Sequence, residues 1–330
     1  MGGILRIERI ADAATIAAGA VPPVDAALAA RHAPDLHLVL RDGNGLAARC
    51  SLWWRAAPPW PDGKLGAIGH YAAAREEDGA RLLGAACDEL ARAGCRLAVG
   101  PMDGNTWRSY RLVTERGTEP PFFLEPDTPE AWPRHFADAG FAPLATYHSS
   151  IATAPFEHDP RIPAVAARLE AAGVTLRDVD LARFEAELAA IHELSLASFT
   201  RNFLYTPIER AEFVAQYLPV APRVDPRLVF VAEHAGRVIG FLFAIADWLE
   251  AARTGQPSTT VIVKTVAVDP TRRYGGLGSW MVAVAHERAG ALGYRRAIHA
   301  LMHDANNSSN ISRRYGAVMR RYALYAKPLA

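Results

Sequence analysis

The sequence predicts an α/β protein with mixed sheets, built as two tandem domains of like plan. Three observations carry that expectation. The chain has 330 residues, more than one domain usually holds, so two of ordinary size are expected. The same order of strand-like and helix-like segments occurs twice. Between the two runs, Thr153 to Ala164 places Pro155, Pro160 and Pro163 among polar residues and reads as a linker. Domains are therefore expected at 1–155 and 168–330, with 156–167 joining them.

Each run opens with a short strand and helical sequence. Leu5 to Ile10 precedes an Ala-rich stretch, and Val174 to Asp180 precedes the periodic segment Leu181 to Phe199. A hairpin follows in both. Leu36 to Leu40 turns through Asp42-Gly43-Asn44-Gly45 into Leu46 to Trp54; Leu228 to Ala232 turns through Glu233 to Gly236 into Arg237 to Ala246. Then come a further apolar segment, a loop, an amphipathic helix and a short buried strand. The first helix, Arg81 to Ala93, puts Leu82, Leu83, Ala86, Cys87 and Leu90 on one face and leads to the strand Arg96 to Gly100. The second, Ser279 to Leu292, turns Met281, Val284, Ala285 and Leu292 inward and leads to Arg295 to Leu301. These helix-to-strand units align without a gap, as an internal repeat requires.

Bulk properties exclude several classes of function. Half the residues are hydrophobic, 22% are charged and the formal net charge is +1, which suits a globular protein and leaves no electrostatic footprint for nucleic acid or an anionic membrane. Cys50, Cys87 and Cys95 are too few and too unevenly spaced for a disulfide framework or a zinc site, so no metal is expected. Met1 to Arg9 shows no signal-peptide pattern, and apolar stretches such as Val238 to Ala246 are far shorter than the roughly 20 residues of a membrane span. A cytoplasmic protein is expected.

The chemistry concentrates in Val261 to Ser279. Val261 to Val268 is rich in β-branched residues and closes at Asp269-Pro270, so it reads as a buried strand. The next residues, Arg272-Arg273-Tyr274-Gly275-Gly276-Leu277-Gly278-Ser279, form a glycine-rich turn directly before a helix. A helix start presents unpaired N–H groups and the positive end of the dipole, and glycines let a phosphate approach the backbone. The spacing is Arg-x-x-Gly-x-Gly, from Arg273 through Gly276 to Gly278. It lacks the Gly-x-Gly-x-x-Gly of dinucleotide folds and the Gly-Lys-Ser/Thr of a P-loop.

This segment, following Val266-Ala267-Val268, resembles the acetyl-CoA signature of the GCN5-related N-acetyltransferase (GNAT) family. The resemblance extends in element order over Val174 to Lys327, with Phe199 to Phe213 and Arg320 to Tyr325 resembling the family's first helices and last strand. It implies acetyl-CoA as cosubstrate and a small-molecule or peptide amine as acceptor. Val266, Ala267 and Val268 would offer backbone groups to the pantetheine arm. Arg273, Tyr274, Gly275, Gly276, Leu277, Gly278 and Ser279 would hold the pyrophosphate, with Arg273 adding charge.

The family's upstream acid is missing, because Thr259, Thr260 and Ile262 occupy its neighbourhood. His303 and Asp304 are the nearest ionisable candidates for the base by topology. For the acid, Ser312 stands where relatives often carry a tyrosine, and Tyr315 is displaced from it. Asn306, Asn307 and Ser308 resemble the polar start of the helix that contacts pantetheine; Asn and Ser also cap helices without any ligand.

The first run resembles the family with the motif lost. Gly66 to Tyr71 takes the fourth strand's place, and Tyr147 to Ala152 that of the closing strand. Its loop, Ala74-Arg75-Glu76-Glu77-Asp78-Gly79, presents three consecutive acids that repel an anion and also favour a helix start in their own right. An excursion from Met102 to Pro129, with Trp107, Tyr110 and Pro120 to Phe123, is too apolar for a flexible linker and suits core packing, a pocket wall or a cover between the halves. A direct-attack N-acyltransferase is the reading; a non-catalytic acyl-CoA binder and a tandem aminoacyl transferase of the peptidoglycan-bridge type are the alternatives.

Overall fold

A computed structural model describes residues 5–17, 21–43, 45–306 and 311–330. The first run folds as β1 (Arg6–Ile10), α1 (Ala13–Ala17), α2 (Ala26–Arg31), β2 (Leu36–Asp42), β3 (Gly45–Trp53), β4 (Leu65–Ala73), α3 (Glu76–Arg92), β5 (Leu97–Gly100), β6 (Leu112–Glu115), α4 (Trp132–Asp138) and β7 (Ala142–Thr153). The second comprises α5 (Ile162–Ala171), β8 (Thr175–Asp178), α6 (Phe184–Ser198), α7 (Arg210–Tyr217), β9 (Val229–His234), β10 (Arg237–Ala246), α8 (Trp248–Thr254), β11 (Thr260–Val268), α9 (Leu277–Ala291), β12 (Arg296–His303) and β13 (Ala317–Pro328). The repeat read from the sequence is present as structure: hairpin, strand, helix and parallel strand occur as β2-β3-β4-α3-β5 and again as β9-β10-β11-α9-β12.

The two copies share a single sheet, in the order β1-β2-β3-β4-β5-β13-β7-β12-β11-β10-β9-β8. Its centre contains an exchange. The first run's closing strand β7 pairs with β12 of the second, while the second run's closing strand β13 pairs with β5 and β6 of the first. The two closing strands then pair with each other from Ala317↔Ile151 to Ala326↔Ala142. Each half thus lends its last strand to the other, and neither half completes its sheet from its own residues. A cut in the chain at the exposed Glu157 and His158 is expected to leave both fragments together on a sizing column at the mass of the intact protein. Separation of the fragments without denaturant would show that the exchanged pairing is weak.

The stretch expected as a linker enters a helix. Pro163 falls in the first turn of α5, where a proline's missing N–H has no intrahelical partner to lose. The helix α5 buries Leu169 and packs along α9. That contact explains why α9 buries residues around most of its circumference, Trp280, Val282 and His286 as well as Met281 and Ala285. The single inward stripe expected from the sequence is only part of its buried surface. The excursion after β5 is also packed, with Met102 and Phe122 buried and Trp107 Nε1 donating to the Thr206 carbonyl at 2.7 Å. Among the described residues no helix is long and apolar enough to cross a membrane.

Candidate functional site

The strands β11 and β12 run parallel only from Thr260↔Arg296 to Val263↔His299. Beyond that point β11 stays with β10 as far as Gly240↔Val268, and β12 goes on with β7 to His303↔Tyr147. A wedge opens between them. Two irregularities mark its apex. On β11, Thr265 pairs with Phe243 and Val263 with Ala244, so Lys264 is a bulged residue without a partner in register; bulges re-aim side chains in this way. On β12, Leu301 has φ +61, its N–H donating to Ser149 Oγ at 3.0 Å and its carbonyl accepting from Arg111 at 3.1 Å. Among the described residues the edge of β11 from Lys264 to Val268 therefore has no strand partner on the β12 side. Ser198, the last residue of α6, accepts from the Val268 N–H at 3.2 Å.

From that edge the chain passes through one 3-10 turn, Arg272–Tyr274, into α9. Buried Tyr274 anchors the turn. Gly276 adopts φ +89, and an added Cβ would lie 2.8 Å from Val165 of α5, so glycine is required there by both conformation and space. Arg168 of α5 donates to the carbonyls of Arg273 and Gly275, fixing the loop from behind. The start of α9, at Leu277, Gly278 and Ser279, has neither a capping side chain nor an acid in its first turn, which leaves N–H groups and a positive dipole end for an anion. Arg273 is exposed, its guanidinium 4.5 Å from the Tyr274 ring centroid and 3.2 Å from His234 Nδ1.

In the first half the equivalent wedge is filled. Pairing of β4 with β5 ends at Ala67↔Val99, and Tyr71 beyond it packs on Trp132 and Phe136 with its hydroxyl 2.8 Å from His135 Nδ1. These groups press on the start of α3 so closely that a Cβ on Gly79 would strike the Tyr71 hydroxyl and the His135 ring. Asp78, 1% exposed, sits inside that first turn and takes two hydrogen bonds from Arg75. Side chains occupy the groove and a carboxylate occupies the helix start.

The candidates for acid and base separate into two pairs. His303 Nδ1 accepts the Ala305 N–H at 3.1 Å, so the neutral ring carries its proton on Nε2 and has no free lone pair for a further one. Burial also holds its pKa below the usual value. Asp304 accepts from Thr146 Oγ1 at 2.6 Å and lies 2.5 Å from His148 Nδ1. Both oxygens are engaged, which disfavours either residue as the base. Ser312 and Tyr315 share one turn, the Tyr315 N–H donating to the Ser312 carbonyl at 2.9 Å. Each is buried with a side-chain oxygen that has no partner among the described residues, as is Ser150 Oγ. Tyr315 rests on His286 and His299 at 4.7 and 6.0 Å, and Ser150 is the cross-strand neighbour of His299. A buried oxygen without a partner costs about 1–3 kcal/mol, which a polar group entering here would offset. Burial raises the Tyr315 pKa and keeps its proton in place. Asn306 makes only a 3.4 Å contact with Asn202, and Asn307 and Ser308 lie outside the described residues.

One ionisable group at the apex escapes any sequence rule. The bulged Lys264 reaches inward, Nζ donating to the Leu124 carbonyl at 2.9 Å. Part of the residue meets solvent, yet the ammonium end is enclosed. That desolvation, with a lesser contribution from Arg111 and opposed by Glu125, brings its pKa down to about 7. Leu124 is held in turn by the next residue: Glu125 pairs with Arg320 at 2.5 Å, both 1% exposed, and accepts from the Phe122 N–H and the Tyr322 hydroxyl. The excursion thus delivers a carbonyl to Lys264.

Comparison with known proteins fits this geometry. Residues 188–312 match the family model described as acetyltransferase (GNAT) family. The second half carries a GNAT acetyltransferase domain. Among solved structures, similarity extends over both halves. The GCN5-related glucosamine N-acetyltransferase region of a fungal multi-domain GH3 β-N-acetylglucosaminidase aligns with a TM-score of 0.54 and 16% identity, over 98% of this chain and 38% of that one. A tandem GNAT protein from the clavulanic acid biosynthesis pathway gives 0.52 and 14%, over 99% of each chain. A GCN5-related N-acetyltransferase from Sphaerobacter thermophilus gives 0.50 and 14%, over 98% and 96%. At these identities the likeness is one of fold. The chain spans little more than a third of the fungal protein. No curated protein matches the sequence. The GNAT domain and its tandem arrangement bear out the resemblance read from Arg273 to Gly278.

Proposed function

We propose that the protein transfers an acetyl group from acetyl-CoA to an amine, a small molecule or a peptide, by direct attack in the second half. The observation that supports this reading most is the wedge between β11 and β12 continued by the uncapped start of α9. A free strand edge suits an amide-bearing arm laid beside it as an added strand, and the helix start suits the pyrophosphate. Acetyl-CoA supplies the activated acyl thioester.

The chain's own residues supply the rest. The backbone of Lys264 to Val268 binds and aligns the arm. Lys264 is neutral in a substantial fraction near pH 7 and takes the proton that the attacking ammonium gives up. Tyr315, protonated and unpartnered, and Ser312 beside it supply the proton that the departing thiolate needs. The packed excursion and the Glu125–Arg320 pair hold the base in place and keep water from the apex. The first half serves as scaffold, lending β7 to the sheet beside β12.

A thiol-release assay over a panel of primary amines, with calorimetric titration of acetyl-CoA, tests the proposal. Turnover with at least one amine class and saturation at one molecule per chain are expected. Binding without thiol release from any amine would mark a non-catalytic binder. Two equivalent sites would mean that Tyr71 and His135 yield to the ligand and that the first half retains a working pocket.

A further inference from the structure

The first half has a bulge of its own on the strand equivalent to β11, and a side-chain cluster gathers there that the proposed reaction does not use. Arg49 pairs with Ala72 and Ser51 with Gly69, which leaves His70 and Tyr71 opposite Cys50 alone. His70 has φ +45, a backbone region that costs a non-glycine residue about 1–3 kcal/mol and that gathers at functional sites. Its N–H is fixed by Asp103 Oδ1 at 2.6 Å.

The ring of His70 faces two further ligand-type groups. Its Nε2 lies 2.9 Å from Nδ1 of His32, the residue that ends α2, and 3.7 Å from Asp103 Oδ2. Among the described residues these three are the group whose ligand atoms all lie within 4.8 Å of one another. The 3.7 Å separation of Asp103 Oδ2 from His70 Nε2 is too long for a hydrogen bond. As ligands the distances fit. With those two edges and a third of up to 4.8 Å, the point equidistant from the three atoms lies no more than about 2.4 Å from each, within about 0.4 Å of zinc's bonds to nitrogen and oxygen.

The surroundings match a ligand role. His70 Nδ1 is 2.9 Å from Ser51 Oγ, which is itself 2.7 Å from His37 Nδ1; metal-bound imidazoles have their other nitrogen fixed in this way. Both imidazoles are buried, and imidazole is the commonest metal ligand among the side chains. Arg108 beside the cluster is matched by Glu212 at 2.7 Å, and Arg49, 4% exposed, adds positive charge near Asp103. A hard cation held by charge alone would not stay against it. Two imidazoles and one carboxylate select a borderline transition ion instead.

We propose that His32, His70 and Asp103 form a mononuclear site for a divalent transition-metal ion such as Zn2+ or Co2+, with open positions for water. The site ties α2, β4 and the start of the excursion together. The sequence reading expected no metal because it looked for cysteine spacing; these ligands stand 38 and 33 residues apart.

The test uses the full chain, stripped with a chelator and titrated with Co2+ and, separately, Zn2+. One ion per chain by elemental analysis, a visible Co2+ ligand-field band and a higher melting temperature are expected. Asp103→Asn keeps an acceptor for the His70 N–H and should weaken Co2+ binding at least tenfold; His32→Ala should remove the band. Acetyl-CoA binding in the second half, unchanged in both variants, serves as the folding control. No uptake by the wild-type chain would overturn the proposal whether or not the variants fold. So would undiminished uptake by both variants, which would assign the ion to surface histidines.

Discussion

Gly278→Val is expected to weaken acetyl-CoA binding by more than about 100-fold while circular dichroism and melting temperature stay close to the wild type. The position separates binding from folding. An added Cβ at Gly278 meets Val268 at 3.6 Å and Val266 and Ile311 at 3.8 Å, ordinary contact distances, and a valine in a helical turn costs only a few tenths to about 1 kcal/mol in helix propensity. Val266 and Val268 belong to the free edge of β11, so the extra methyl groups enter the space between that edge and the uncapped helix start. Gly276 makes a poorer test. Its φ of +89 and the 2.8 Å approach of Val165 mean that any side chain there strains the loop, and lost affinity would follow from misfolding alone. Calorimetry on Gly278→Ala and Gly278→Val in parallel makes a graded comparison. Unchanged affinity in the valine variant would remove the loop from the cofactor site.

Local pattern carried the repeat and the loop. The hairpins, α3, α9 and the strand before the glycine turn each follow from period, turn residues and β-branched runs within some 15 residues, and all stand where the sequence places them. Pairing across the sheet is a different kind of information. Residues 142–153 and 317–328 both read as closing strands, and nothing in either says which half's edge it will join; the exchange of β7 and β13 is settled by the whole sheet. Pro163 lies in the first turn of α5, a place that suits proline, so a proline-rich stretch and a helix start read alike in the sequence. His303 drew attention by its place on a strand end, and one backbone N–H, that of Ala305, takes the lone pair its role required. Lys264 drew none, since a lysine inside a β-branched strand is unremarkable until the register with β10 shows it bulged at the apex of a wedge. In the first half the acids Glu76 to Asp78 are legible in the sequence, whereas the filling of the groove by Tyr71 and His135 is not, because it depends on packing across the fold.

Lys264→Met should lower kcat by roughly 10²–10⁴-fold, the usual range for loss of a positioned general base, with little change in the acetyl-CoA affinity set by the loop. With its pKa brought down to about 7, Lys264 is the free base above that pH and the ammonium below it. The wild-type rate should therefore rise with pH through an acidic limb near 7, and the limb should vanish in the methionine variant. Lys264→Arg should not restore it, because a guanidinium stays charged across this range. Stability should move the other way. Between the folded value near 7 and the ordinary 10.5, the unfolded chain binds a proton at Lys264 that the native state sheds, so native stability rises with pH across that window. Below it the buried ammonium is a standing cost, and methionine removes that cost while keeping the stem. The variant should melt higher than the wild type at pH 7, with the difference fading as pH approaches 10.5. An acidic limb that persists in an inactive or slowed Lys264→Met would assign the base elsewhere and leave Lys264 as a packing residue of the bulge.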